Sequence, residues 1–139
     1  MVHRLAFAVV LAALLALLVG TTDVSALQRF TLIGVQTSES PGSGQTVVTK
    51  GKLLSHHKVV GHDSFVCTPS GQEAVCKGKF KLRHGTIRVK GAVGTASTSI
   101  FKIRGGTGRY SGAKGQVVSH DLQGGGEAGT RAKLIFQLK

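Results

Sequence analysis

The stretch Arg104-Gly105-Gly106-Thr107-Gly108-Arg109-Tyr110-Ser111-Gly112-Ala113-Lys114-Gly115-Gln116 holds five glycines between Gly105 and Gly115. Ile100-Phe101-Lys102-Ile103 leads into it and Val117-Val118 leads out. Glycine is favoured where a backbone takes positive φ or another backbone comes close. A glycine cluster between two β-branched apolar runs therefore predicts a tight strand-to-strand connection with a bulge or sharp bend. It is not a phosphate loop. Gly106-x-Gly108 lacks the third glycine of the dinucleotide spacing, and Gly108 to Gly112 is one residue short of a Walker loop. No helical pattern follows, so no helix N-terminus is there to hold a phosphate.

Outward from this turn the chain alternates with period two. Cys76, Gly78, Phe80 and Leu82 alternate with Lys77, Lys79, Lys81 and Arg83. That is a strand with one apolar face and one cationic face. Ile87 and Val89 against Arg88 and Lys90 continue the pattern, as do Phe101 and Ile103 against Lys102 and Arg104. Ala132, Leu134, Phe136 and Leu138 form a further stripe, which Ile135 interrupts. Apolar runs over 30–35, 46–54, 59–67 and 115–122 complete about eight candidate strands. Ser38 to Gly44 and Gln123 to Gly129 read as loops. With no helical pattern after the first residues, the expected architecture is all-β: a single antiparallel closed barrel of about eight strands. The interior of a barrel this small is filled by side chains or holds one small ligand.

The glycine turn also carries a resemblance. G-G-T-G-R-Y-x-G-A-x-G-Q over residues 105–116 resembles the signature turn of the dirigent and allene oxide cyclase barrels. Val60-Gly61 through Cys67 is similar to a valine-glycine strand of that group that ends in cysteine. Gly85-Thr86-Ile87-Arg88-Val89-Lys90-Gly91 resembles another of its strands. The matches run in order over roughly residues 58–118. The resemblance implies a barrel that binds a small hydrophobic or phenolic molecule, in some members with isomerase or coupling activity, and assembly as a homodimer or homotrimer through the barrel sides. The cyclases' acidic first-strand residue and the tyrosine before the glycine turn have no counterpart in Leu32–Val35 or Ala92–Ala96. Cyclase chemistry is therefore not expected, and the enzyme question stays open. The cationic outer face would oppose close packing, so a monomer is the other expectation.

Met1 to Arg4 is positively charged and Leu5 to Val19 is uninterruptedly apolar. Val24-Ser25-Ala26 then places small or β-branched residues where a signal peptidase reads. Residues 1–26 are expected to be a secretory signal peptide and 27–139 the barrel domain, exported to the cell exterior, wall or apoplast. An uncleaved anchor is the alternative, although the run is short of the ~20 residues a spanning helix needs.

Cys67 and Cys76 end two neighbouring apolar runs around a turn containing Pro69 and Gly71. In a secreted chain this predicts a cross-strand disulfide. A free reactive thiol at Cys67 is the alternative. Pairing the cysteines fixes the register: Phe65 opposes Gly78 and Asp63 opposes Phe80. Asp63 then points into the barrel, where an unpaired carboxylate is costly. It is either a functional group or a structural acid near the barrel mouth. Asp63, Phe65, Phe80, Leu82, Val89, Phe101, Ile103 and Phe136 are the candidate ligand-lining residues, and Asp63 is the one catalytic candidate. Alternation sends His62 and Ser64 to the face opposite Asp63, so the adjacent His-Asp-Ser is no triad. The scattered histidines lack metal-ligand spacing. Neither a metal nor a cofactor is expected.

The chain has 18 Lys and Arg against 6 Asp and Glu, a net charge of +12. Lys77, Lys79, Lys81, Arg83, Arg88, Lys90, Lys102 and Arg104 would form one outer patch if their strands are neighbours. Such a patch attracts anionic polymers or an anionic membrane surface. Nucleic acid is not expected, because the phenylalanines of the barrel all fall on the core face and leave no platform for stacking bases.

Overall fold

The computed structural model of the protein describes residues 28–122 and 130–139. The expected signal peptide and the expected 123–129 loop lie outside the described residues. Eight strands follow in chain order: β1 (Gln28–Pro41), β2 (Val47–Ser55), β3 (Lys58–Ser70), β4 (Glu73–Leu82), β5 (Gly85–Val93), β6 (Thr98–Gly106), β7 (Gly115–Leu122) and β8 (Arg131–Leu138). Each pairs antiparallel with the next, and β8 pairs with β1, which closes the barrel. Closure leaves no sheet edge to cap.

Alternation decides what faces inward. Phe80, Ile87, Val89, Phe101, Ile103, Val117, Leu134 and Phe136 are buried, whereas Lys77, Lys79, Lys81, Arg88 and Lys102 are exposed. Ile135 breaks its stripe by facing out, opposite Thr31 and Val118. The aromatic rings lock the interior. Phe30 stacks on Phe136 at 4.6 Å, and Phe80 meets Phe136 edge-on at 5.0 Å.

Two expected connections are shorter than they read. β1 runs on to Pro41, because beyond a bulge between Gln36 and Ser38 its polar residues still pair with β2. Backbone ladder bonds there outweigh the loop-like composition. The turn between the cysteines shrinks to Gly71-Gln72, since β3 reaches Ser70 and β4 starts at Glu73. Pro69 is tolerated because it lies past the last β2 partner, Cys67↔Val47, on a locally unpaired side.

The glycine-rich stretch closes one end of the barrel. Register shifts at Arg88/Val89, so Arg104 bulges out of β6. A single 3-10 turn follows over Gly108–Tyr110. The loop folds back on the β4–β5 turn: the Thr107 N–H donates to Thr86 O at 2.9 Å, and the Arg109 N–H to His84 O at 2.8 Å. A Cβ at Gly85, where φ is +151°, would fall on the Thr107 carbonyl. These glycines are needed for close backbone approach. Tyr110 and Ala113 pack from the loop onto the core and plug that end.

Candidate functional site

Among the described residues the opposite end is open. A cavity of about 270 Å³ enters there, lined by Asp63, Phe65, Phe80, Phe101, Leu134, Ala132, Val93 and the two cysteines, with Gln36, Thr49, Ser119 and Arg131 among its polar residues. That volume lies at the lower limit of small-molecule sites, room for a ligand of one or two rings.

Asp63 reaches this cavity from the middle of β3, between Gly51 on β2 and Phe80 on β4. Gly51 makes space for it, and Gly34 lies beside it. A Cβ at Gly51 would stand 2.9 Å from Asp63 Oδ1, and one at Gly34 would stand 3.8 Å from Oδ2. No described residue hydrogen-bonds or ion-pairs with the carboxylate, which opens on the cavity. Burial without a compensating partner pushes its pKa up to about 6. Phe65 lies over Gly78, where a Cβ would overlap its ring. The ring meets Phe80 edge-on at 5.5 Å and Phe101 at 5.4 Å. One wall is thus aromatic; Asp63 is the half-buried acid of the cavity, and the exposed Asp121 lines it together with Lys50 and Arg131.

The disulfide joins Cys67 and Cys76 directly across β3 and β4, with Cα atoms 4.0 Å apart. Both residues border the cavity, and the bond between them leaves neither a free nucleophile. Of the other expected lining residues, Leu82, Val89, Ile103 and Phe136 lie outside the cavity lining. Val89, Ile103 and Phe136 are buried in the packed interior, and Leu82 packs against it. Gly34, Gly51, Gln36, Lys50, Ser119 and Asp121 are among the site residues that sequence reasoning missed. The positions of Gly34, Gln36 and Gly51 depend on the β1–β2 bulge and on a second register shift at Leu53/Leu54.

On the outer wall Lys77, Lys90 and Lys102 stand in one row across β4, β5 and β6, and Lys79 stands opposite Arg88. Arg104 borders the same surface, and Lys81 extends it toward Thr86. Arg83 falls in the β4–β5 turn, outside the row. His62 lies on the outer side of β3 opposite Lys81, and Ser64 borders the outer basin.

No family model matches the chain, and no curated protein matches it. Solved structures do. One pterocarpan synthase dirigent protein aligns with TM-score 0.69 at 12% identity, over 85% of this chain and 92% of its own. A second aligns with TM-score 0.64 at 12% identity, over 83% and 97%. This barrel has the dirigent fold. A pyocyanin demethylase shares it, with TM-score 0.62 at 21% identity, over 78% of this chain and 100% of its own. At such identities the fold is what is shared, and it is the fold that the glycine-turn resemblance implies.

Proposed function

We propose that the protein is a secreted dirigent-like barrel that binds a small hydrophobic or phenolic molecule at its open end, with Asp63 as the polar anchor. The observation that carries this reading is an unpartnered carboxylate facing an aromatic-walled cavity. A half-buried acid without a partner costs stability, and such groups concentrate where a ligand supplies the missing contact. A phenol O–H donating to the Asp63 carboxylate would do so, with its ring against Phe65 and Phe101. The named neighbours act on pyocyanin and in pterocarpan synthesis, which supports a ring-bearing organic ligand. The disulfide supports export to an oxidising compartment.

Calorimetric titration with 2-naphthol tests the proposal. Binding is expected to weaken about tenfold in Asp63→Asn above pH ~7, the scale of one charge-assisted hydrogen bond. Naphthalene, which has no hydroxyl, is expected to bind both proteins alike. Equal 2-naphthol affinity for the two proteins would remove Asp63 from the site.

A second reading, isomerase or coupling activity, is favoured by one observation. A carboxyl titrating near 6 exchanges protons readily at neutral pH. Solvent deuterium entering C1 of bound 2-naphthol faster with the wild type than with Asp63→Asn would show a catalyst. Equal rates would leave a binder.

A further inference from the structure

The outer wall of β3 to β6 is built against its own stability. Lys77 stands directly opposite Lys90, Lys90 opposite Lys102, and Lys79 opposite Arg88. Like charges facing each other across strands are destabilising. None of these cations has an acid as its cross-strand partner. A surface serving only solubility would intersperse the signs. Here the chain instead concentrates one sign on one wall.

That wall forms two adjoining basins. The first, about 620 Å³, is bordered by Lys77, Lys79, Arg88, Lys90 and Arg104, with Ser64 among them. The second, about 680 Å³, is bordered by Lys90, Lys102, Lys114 and Lys139, with Gln116 and Gln137. Lys90 belongs to both, so the basins join into one trough longer than a single small anion. Neighbouring strands stand ~4.8 Å apart and same-face residues along a strand ~6.7 Å apart, so the trough presents a lattice of single positive charges.

We infer that this trough binds a linear acidic polysaccharide of the polyuronate class. Such a polymer carries one carboxylate per sugar, with hydroxyls between. The trough offers the complement: mostly lysines, which act as point charges, interrupted by neutral hydrogen-bonding groups. Gln116 and Gln137 are held together by a 2.9 Å bond from Nε2 to Oε1, which orients them on the surface. Charges spaced along a shallow trough, with neutral side chains between them, suit a linear polymer whose carboxylates are spaced in the same way. Among the described residues the Phe and Tyr side chains pack on the core, which leaves bases no such ring to stack on.

The test uses the disulfide-bonded chain and polygalacturonate at about 0.15 M salt, with a Lys90→Gln/Lys102→Gln variant and, as a control of equal charge change, Lys58→Gln/Lys133→Gln. Circular dichroism verifies that both variants fold. The trough variant is expected to bind about tenfold more weakly or worse, with the control within about twofold of the wild type. Monomeric galacturonate should bind far more weakly than the polymer. Equal losses in the two variants would overturn the inference, since net charge alone would then be at work. Tighter binding to phosphatidylserine vesicles, to single-stranded DNA or to heparin than to polygalacturonate would overturn it in favour of that partner.

Discussion

The two ends of the barrel are built from the same eight strands and solve opposite problems. At the glycine-turn end, backbone meets backbone: Thr107 and Arg109 bond to the β4–β5 hairpin, and Tyr110 fills what remains. At the other end the strands hold a cavity open, and Asp63 is left without a partner. The first end shows what this sequence does when it needs only stability. The second departs from that pattern, and the departure is the argument for function.

The closed end should be the more fragile to substitution. Gly85→Ala forces a side chain into the Thr107 carbonyl at a φ that L residues rarely adopt. A loss of about 3 kcal/mol or more is expected, read as a lower urea midpoint. If Gly85→Ala were neutral, the close backbone approach that defines this end would be wrong. Next in size, Cys67→Ser/Cys76→Ser should cost on the order of 2–3 kcal/mol. Hydrogen exchange should rise around residues 64–79 at the open end, and much less at the glycine turn. A uniform rise would mean that the two ends are one cooperative unit.

Asp63→Asn should act in the opposite sense and stabilise the fold. The folded carboxyl titrates near 6 and the unfolded one near 3.8. Between these values the folded state holds the extra proton, so this group's contribution to stability falls as pH rises from about 4 to about 6. Above about 6 the penalty is complete, up to about 3 kcal/mol from the size of the shift. Removing the charge should therefore raise stability at pH ~8, have little effect below pH ~4, and flatten the pH profile between. A destabilised Asn variant would show that the carboxylate accepts structural bonds instead. The smallest effect is expected from Phe65→Leu: about 1 kcal/mol of stability, with a clear loss of 2-naphthol affinity as one face of the cavity disappears.

Much of the architecture was legible in the sequence because period-two alternation and punctuating glycines are local signals. The cysteine pair was more informative still. It set the β3–β4 register, and that register placed Asp63 inside, opposite Phe80, where it stands. What could not be read was depth. Phe80 and Phe136 both point inward, yet only Phe80 borders the cavity, because Phe136 sits beneath Phe30 toward the plugged end. The glycines beside Asp63 were hidden for a related reason. Gly34 and Gly51 come to β3 through two bulges, and a bulge shifts every later partner without a clear mark in the residues. The cationic wall was foreseen on β4 to β6. Its extension to Lys114 and Lys139 needed the barrel to close around to β7 and β8.

The measurement that bears most directly on the account is a carbon-13 NMR titration of the Asp63 carboxyl, made with and without saturating 2-naphthol. The account predicts a midpoint near 6 in the free protein, shifted downward when a phenol donates to the carboxylate. A midpoint near 4 in the free protein, unmoved by the ligand, would mean an acid already solvated or satisfied, and the open end would lose its claim to be a binding site.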